Sequence, residues 1–130
     1  MIPLQRFLAL AIVIAVAAQF FLAGAGSFGA TSYSTHRALG MALGIAAAAA
    51  LLTALITRRH LVASSLLLGA VVIQIALGSL GTTHAWFGAF HGLNALFVLA
   101  TAGNLARRTA RPALATGGHA ETAARTATTG

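Results

Sequence analysis

The chain has no cysteine, no lysine and one acidic residue, Glu121, among its 130 residues. Without cysteine there are no disulfides, iron–sulfur clusters, thiolate metal sites or covalent c-type haem attachment. Without Asp, Glu or Lys in any apolar stretch, a proton-coupled multidrug transporter would lack the membrane carboxylate it needs. No nucleophile–base–acid set, phosphate loop or zinc motif is present, which leaves hydrolysis and phosphoryl transfer without machinery. Charged residues make up 7% of the chain, against about 25% in a soluble domain.

What is present is apolar. Hydrophobic residues reach 58%, and the mean hydropathy is +0.89. Four apolar spans stand out, at 7–25, 38–56, 61–80 and 85–105, each close to the ~20 residues that carry a helix across hydrocarbon. Backbone groups in lipid must be paired within a helix or a closed barrel. The alternating ten-residue pattern of a barrel is missing. The expected fold is therefore an all-α membrane protein, with four transmembrane helices in a four-helix bundle over residues 1–108. Residues 109–130 are rich in Thr, Ala and Gly, hold Pro112, His119 and Glu121, and read as a disordered cytoplasmic tail with no assigned role.

The net charge of +7 is carried by arginine alone. A nucleic-acid footprint would spread over a folded surface; here the arginines fall between apolar runs, as the positive-inside rule distributes them. No nucleic-acid partner is expected. Arg6, the Arg58–Arg59 pair, and Arg107, Arg108 and Arg111 share one side, and Arg37 stands on the other. Both termini are then cytoplasmic in a multi-pass protein of a bacterial cytoplasmic membrane. An alanine- and arginine-rich chain without lysine also points to a GC-rich bacterial genome. A cleaved signal peptide is the alternative reading of the first span, but that span's end matches a retained one further along.

The match is a repeat. Gln19, Leu22, Gly26 and His36 recur as Gln74, Leu77, Gly81 and His91, at a constant offset of 55 residues. The chain reads as two tandem two-helix units, each with one histidine at the start of its second span. Two spans per unit give both copies one orientation, related by an approximate two-fold axis along the membrane normal. His36 and His91 then lie at one depth on opposite sides of that axis, as the axial ligands of a b-type haem would.

Helical spacing puts His36, Leu39, Gly40, Leu43, Gly44 and Ala47 on one face, and His91, Asn94, Ala95, Val98 and Ala102 on another. Gly40 and Gly44 let a backbone or a flat ligand approach, and Arg37 is placed to meet a haem propionate. The competing explanation is structural: Gln19, Gln74 and Asn94 are the residue types that bond helices together in membranes, and duplication copies a structural histidine as readily as a ligand. His60 reads as interfacial beside its arginines, and His84 as a loop residue.

At QFFLAG, HRALG and HGLNAL, from about residue 19 to 108, the chain resembles a family of small four-helix membrane proteins common in actinobacteria, a family without an established activity. More distantly, the histidines opening the second and fourth spans are similar to those of the four-helix haem-binding halves of haem A synthase. That likeness implies haem ligation by His36 and His91 only, because the enzyme's catalytic carboxylate has no counterpart here. Three functions are carried forward: a bis-histidine b-type haem electron carrier; a non-catalytic membrane subunit or assembly factor with structural histidines; and a quinone or lipophilic-ligand binder using Gln19, Gln74 and His91. The expected partners are the lipid bilayer and either a membrane redox protein or a second copy of the chain.

Overall fold

The computed structural model describes residues 4–110. These form four helices: α1 Leu4–Ser27, α2 Tyr33–Thr57, α3 Leu61–Leu80 and α4 Ala85–Ala110. At 1.5 Å per residue even α3, with 20 residues, is about 30 Å long, the thickness of the hydrocarbon core. All four are apolar enough to cross a membrane. The chain is an all-α, four-helix membrane protein. The tail from residue 111, with His119 and Glu121, lies outside the described residues.

The helices run up and down in a ring. α1 packs on α2 and α4, and α3 packs on the same two, so α2 and α4 face each other along one diagonal. The two ends of the bundle differ in chemistry. Arg6, Arg58, Arg59, Arg107 and Arg108 gather at one end, and His36, Arg37, His84 and His91 lie toward the other.

Three helices are longer than the apolar spans that mark them. α1 starts before residue 7 and takes in Gln5 and Arg6; α2 begins at Tyr33, not 38; α4 continues past 105 through Arg107 and Arg108 to Ala110. Hydropathy reports where a chain leaves hydrocarbon, whereas the helix ends where backbone pairing stops. Arg37, expected in a loop, is a residue of α2's second turn. Thr109 and Ala110, expected in the tail, close α4.

Packing is concentrated at the arginine end. The buried residues are Gln5, Ala9, Ile12 and Val16 on α1, and Leu43, Ala47, Ala50 and Ala54 on α2. They step by three and four, the spacing of a coiled-coil seam. Leu67, Ala70 and Val71 of α3 and Val98, Ala102 and Leu105 of α4 complete the core. Much of this core is alanine, which lets helices approach closely where no water is available to drive them together. No residue in 17–42 or 72–97 is buried. The bundle is closed at the arginine end and loosely filled at the histidine end.

The connections are short. Arg58 and His60 both take the left-handed conformation, at φ 55° and 57°, and the Arg58 and Arg59 amides donate to the Ala54 carbonyl. The α1–α2 loop turns at Gly29, φ 74°. At the α3–α4 turn a Cβ on Gly81 would lie 2.9 Å from the Gly88 backbone, so only glycine admits this approach.

Candidate functional site

One turn into α2, His36 points toward α4, and His91 of α4 points back. Their ring centroids are 5.9 Å apart with the planes tilted by 58°. Both rings are half-buried, on helices that face each other across the diagonal without packing together. Below them Leu43 and Ala47 on α2, and Val98 and Ala102 on α4, are buried, so the two faces marked by helical spacing are the inward faces.

The His91 ring is held by a neighbouring helix. His91 Nδ1 lies 2.9 Å from the Gln74 carbonyl oxygen. A carbonyl only accepts, so Nδ1 carries the proton and donates, and Nε2 keeps its lone pair. Gly78, one turn along α3 from Gln74, makes the space: a Cβ there would stand 3.0 Å from His91 Cε1 and Nδ1. Asn94, one turn below His91, donates to the Ala70 carbonyl at 2.9 Å and to Gln74 Oε1 at 2.7 Å. Gln74 thus meets α4 twice, through its backbone at His91 and through its side chain at Asn94.

The other half is built differently. Gln19 Nε2 donates to the backbone carbonyl of His36 at 2.9 Å, which ties α1 to α2 without touching the imidazole. His36 Nδ1 and Gln19 Oε1 are buried with no hydrogen-bond partner. Buried polar atoms left so are uncommon and call for an explanation. Gly40 accommodates the Gln19 amide, which a Cβ would meet at 3.1 Å, and Gly44 faces Ile75 Cδ1 at 3.4 Å. The two glycines make room for side chains of α1 and α3.

Positions 55 residues apart meet the same partners through different atoms. Gln19 bonds His36 and Gln74 bonds His91. Gly26 lies under the Tyr33 ring, and Gly81 lies against Gly88. Tyr33, one turn before His36, sits edge-on to it at 6.1 Å and bonds Ser27 through its hydroxyl at 2.9 Å. Sequence reasoning passed over Tyr33, although its i, i+3 spacing to His36 was there to be read. Arg37 is exposed beside His36. His84 is exposed in the α3–α4 turn, 6.0 Å from Phe87, and His60 sits at the opposite end.

A second polar cluster escaped the sequence reading. At the arginine end Gln5 Nε2 donates to Ser64 Oγ at 2.9 Å, with the Ala50 carbonyl at 3.5 Å. Gln5 is 5% exposed and Ser64 fully buried. This cluster joins α1, α2 and α3 and contains no titratable group. Its signal was a glutamine and a serine at the ends of spans, where polarity is ordinary.

Taken together these features define a class: a four-helix membrane bundle, tight at its arginine end, with a paired-histidine polar layer in its looser half. The chain belongs to DUF6220, a family of unknown function, which matches residues 19–83. The match begins at Gln19, takes in His36 and Gln74, and ends before His91. No curated protein and no solved structure matches the chain.

Proposed function

We propose that this protein is a membrane haem carrier in which His36 and His91 ligate the iron of one b-type haem. The observation that carries the reading is the pairing of the two imidazoles across the α2–α4 diagonal, 5.9 Å between centroids. With an imidazole nitrogen about 2 Å from a metal, two ligands on opposite sides of one ion would have ring centroids roughly 6 Å apart. The His91–Gln74 bond adds support, since a ligating histidine usually gives its other N–H to a backbone carbonyl or carboxylate. So does the looser packing of this half, where no residue in 17–42 or 72–97 is buried. The absence of cysteine limits such a haem to the non-covalent kind.

When bound, the haem would supply one-electron redox chemistry. The chain's residues would hold it. His91 is oriented by α3, His36 stands on the opposite helix, and Arg37 at the polar margin offers a counter-charge to a propionate. The constant 55-residue offset supports an origin by internal duplication, and the same Gln–His and glycine positions are in contact in both halves, though through different atoms. The arginine asymmetry supports cytoplasmic termini in a bacterial cytoplasmic membrane, with the haem near the opposite face.

A second reading rests on the Asn94–Gln74–Ala70 bonds, which are helix-to-helix fastenings of the usual membrane kind. On that reading the protein is a non-catalytic subunit whose histidines are part of the fastening. The reduced-minus-oxidised optical spectrum of protein produced with ample haem separates the two. The haem reading expects a Soret band and sharp α and β bands in the reduced state. A parent protein without a Soret band leaves the structural reading.

A further inference from the structure

A shallow apolar groove runs along the outside of α3 beside α4, lined by Leu61, Val62, Leu66, Gly69, Ile73 and Phe97. From Leu61 to Ile73 it covers twelve residue steps, about 18 Å of helix. That is close to one leaflet of a hydrocarbon core about 30 Å thick. Gly69 leaves its floor open, since a Cβ there would meet nothing within 4 Å. The groove starts directly after the Arg58–Arg59 turn. The antiparallel run of α4 brings Arg107 and Arg108 to the same end. All four arginines are exposed. Arg108 Nε donates to Asn104 Oδ1 at 3.2 Å, a neutral partner, and the described residues contain no Asp or Glu.

We infer that this groove binds one anionic glycerophospholipid, with an acyl chain lying along α3 over Gly69 and the phosphate among Arg58, Arg59, Arg107 and Arg108. An acyl chain of one leaflet matches the groove's length, and a negative headgroup matches the charge at its mouth. Arginines near a membrane surface attract anionic lipid by about 1 kcal/mol each, roughly five-fold per residue. The site is separate from the histidines and does not depend on their role.

The test is native mass spectrometry of the full chain in a mild detergent, offered equal amounts of phosphatidylglycerol and phosphatidylcholine. The parent should retain phosphatidylglycerol in preference to phosphatidylcholine. Gly69→Leu, whose Cβ would meet nothing within 4 Å and whose side chain would occupy the groove, should lose most of the bound phosphatidylglycerol while its helix content is unchanged. Arg58→Gln with Arg59→Gln, in an exposed turn, should lower the preference for the anionic lipid by one to two factors of about five. Equal retention of the two lipids by the parent would overturn the inference. So would undiminished retention by both variants, or a parent dimer that Gly69→Leu converts to monomer without loss of lipid, which would make a second copy the occupant.

Discussion

Gly78→Ala is the sharpest probe of how His91 is held. The added methyl would lie 3.0 Å from two atoms of the imidazole, tighter than van der Waals contact, so the ring must move. That movement should strain and break the 2.9 Å bond from Nδ1 to the Gln74 carbonyl. Overpacking of this kind costs about 1–3 kcal/mol, and a lost interhelical hydrogen bond in a membrane protein averages about 0.6 kcal/mol. Gly92→Ala is the matched control. It lies in α4 next to His91, and its Cβ would meet nothing within 4 Å. Both changes gain the same helix preference of alanine over glycine, roughly 0.5–1 kcal/mol. The difference between them should therefore be roughly 1.5–3.5 kcal/mol against Gly78→Ala. It can be measured by unfolding in mixed detergent micelles, followed by far-ultraviolet circular dichroism. The imidazole ¹⁵N spectrum should show loss of the bonded Nδ1–H in Gly78→Ala alone. Equal stability of the two variants, with the Nδ1–H signal intact in both, would refute the packing of His91 against α3.

Three further outcomes follow from the same structure. Gly81→Ala places a methyl 2.9 Å from the Gly88 backbone and should destabilise by about 1–3 kcal/mol; a neutral effect in the same unfolding assay would mean the helices do not approach there. A double-mutant cycle of Gln5→Ala and Ser64→Ala should give a coupling energy of about 0.6–1.7 kcal/mol, whereas additive effects would deny their hydrogen bond. Because the chain has no cysteine, Ser32→Cys and Thr57→Cys report orientation cleanly. An impermeant thiol reagent on intact cells should label the first and spare the second, and the reverse would invert the proposed topology.

Length and apolarity were enough to read the architecture, since four runs near twenty residues leave few alternatives in lipid. The starts of α3 and α4 were legible because turn residues precede them. The start of α2 was legible only as far as His36, which helical spacing puts on the α2 face; the apolar span begins at 38, and the helix carries Tyr33, Ser34 and Thr35 ahead of the histidine. The same blindness hid Gln5, which sits in helix ahead of the first apolar run and is buried by its bond to Ser64. At the site, the 55-residue offset led to two histidines at one depth, and their rings stand close across the bundle. The unlike surroundings of those rings were not legible: the side chains around the two histidines differ although the motif residues match. His91 bonds a backbone carbonyl of α3, while Gln19 reaches the His36 backbone and leaves the imidazole nitrogen alone. Gly40 and Gly44 read as room for a backbone or a flat ligand, and the groups that come close to them are the side chains of Gln19 and Ile75.

The central claim is that one iron lies between His36 and His91. Electron paramagnetic resonance of the oxidised protein, made with ample haem, tests it most directly when the parent is compared with His36→Ala and His91→Ala. The parent should give a low-spin bis-imidazole signal, and each single variant a high-spin five-coordinate signal or no haem. A parent without haem, or a low-spin signal that survives both substitutions unchanged, would contradict it.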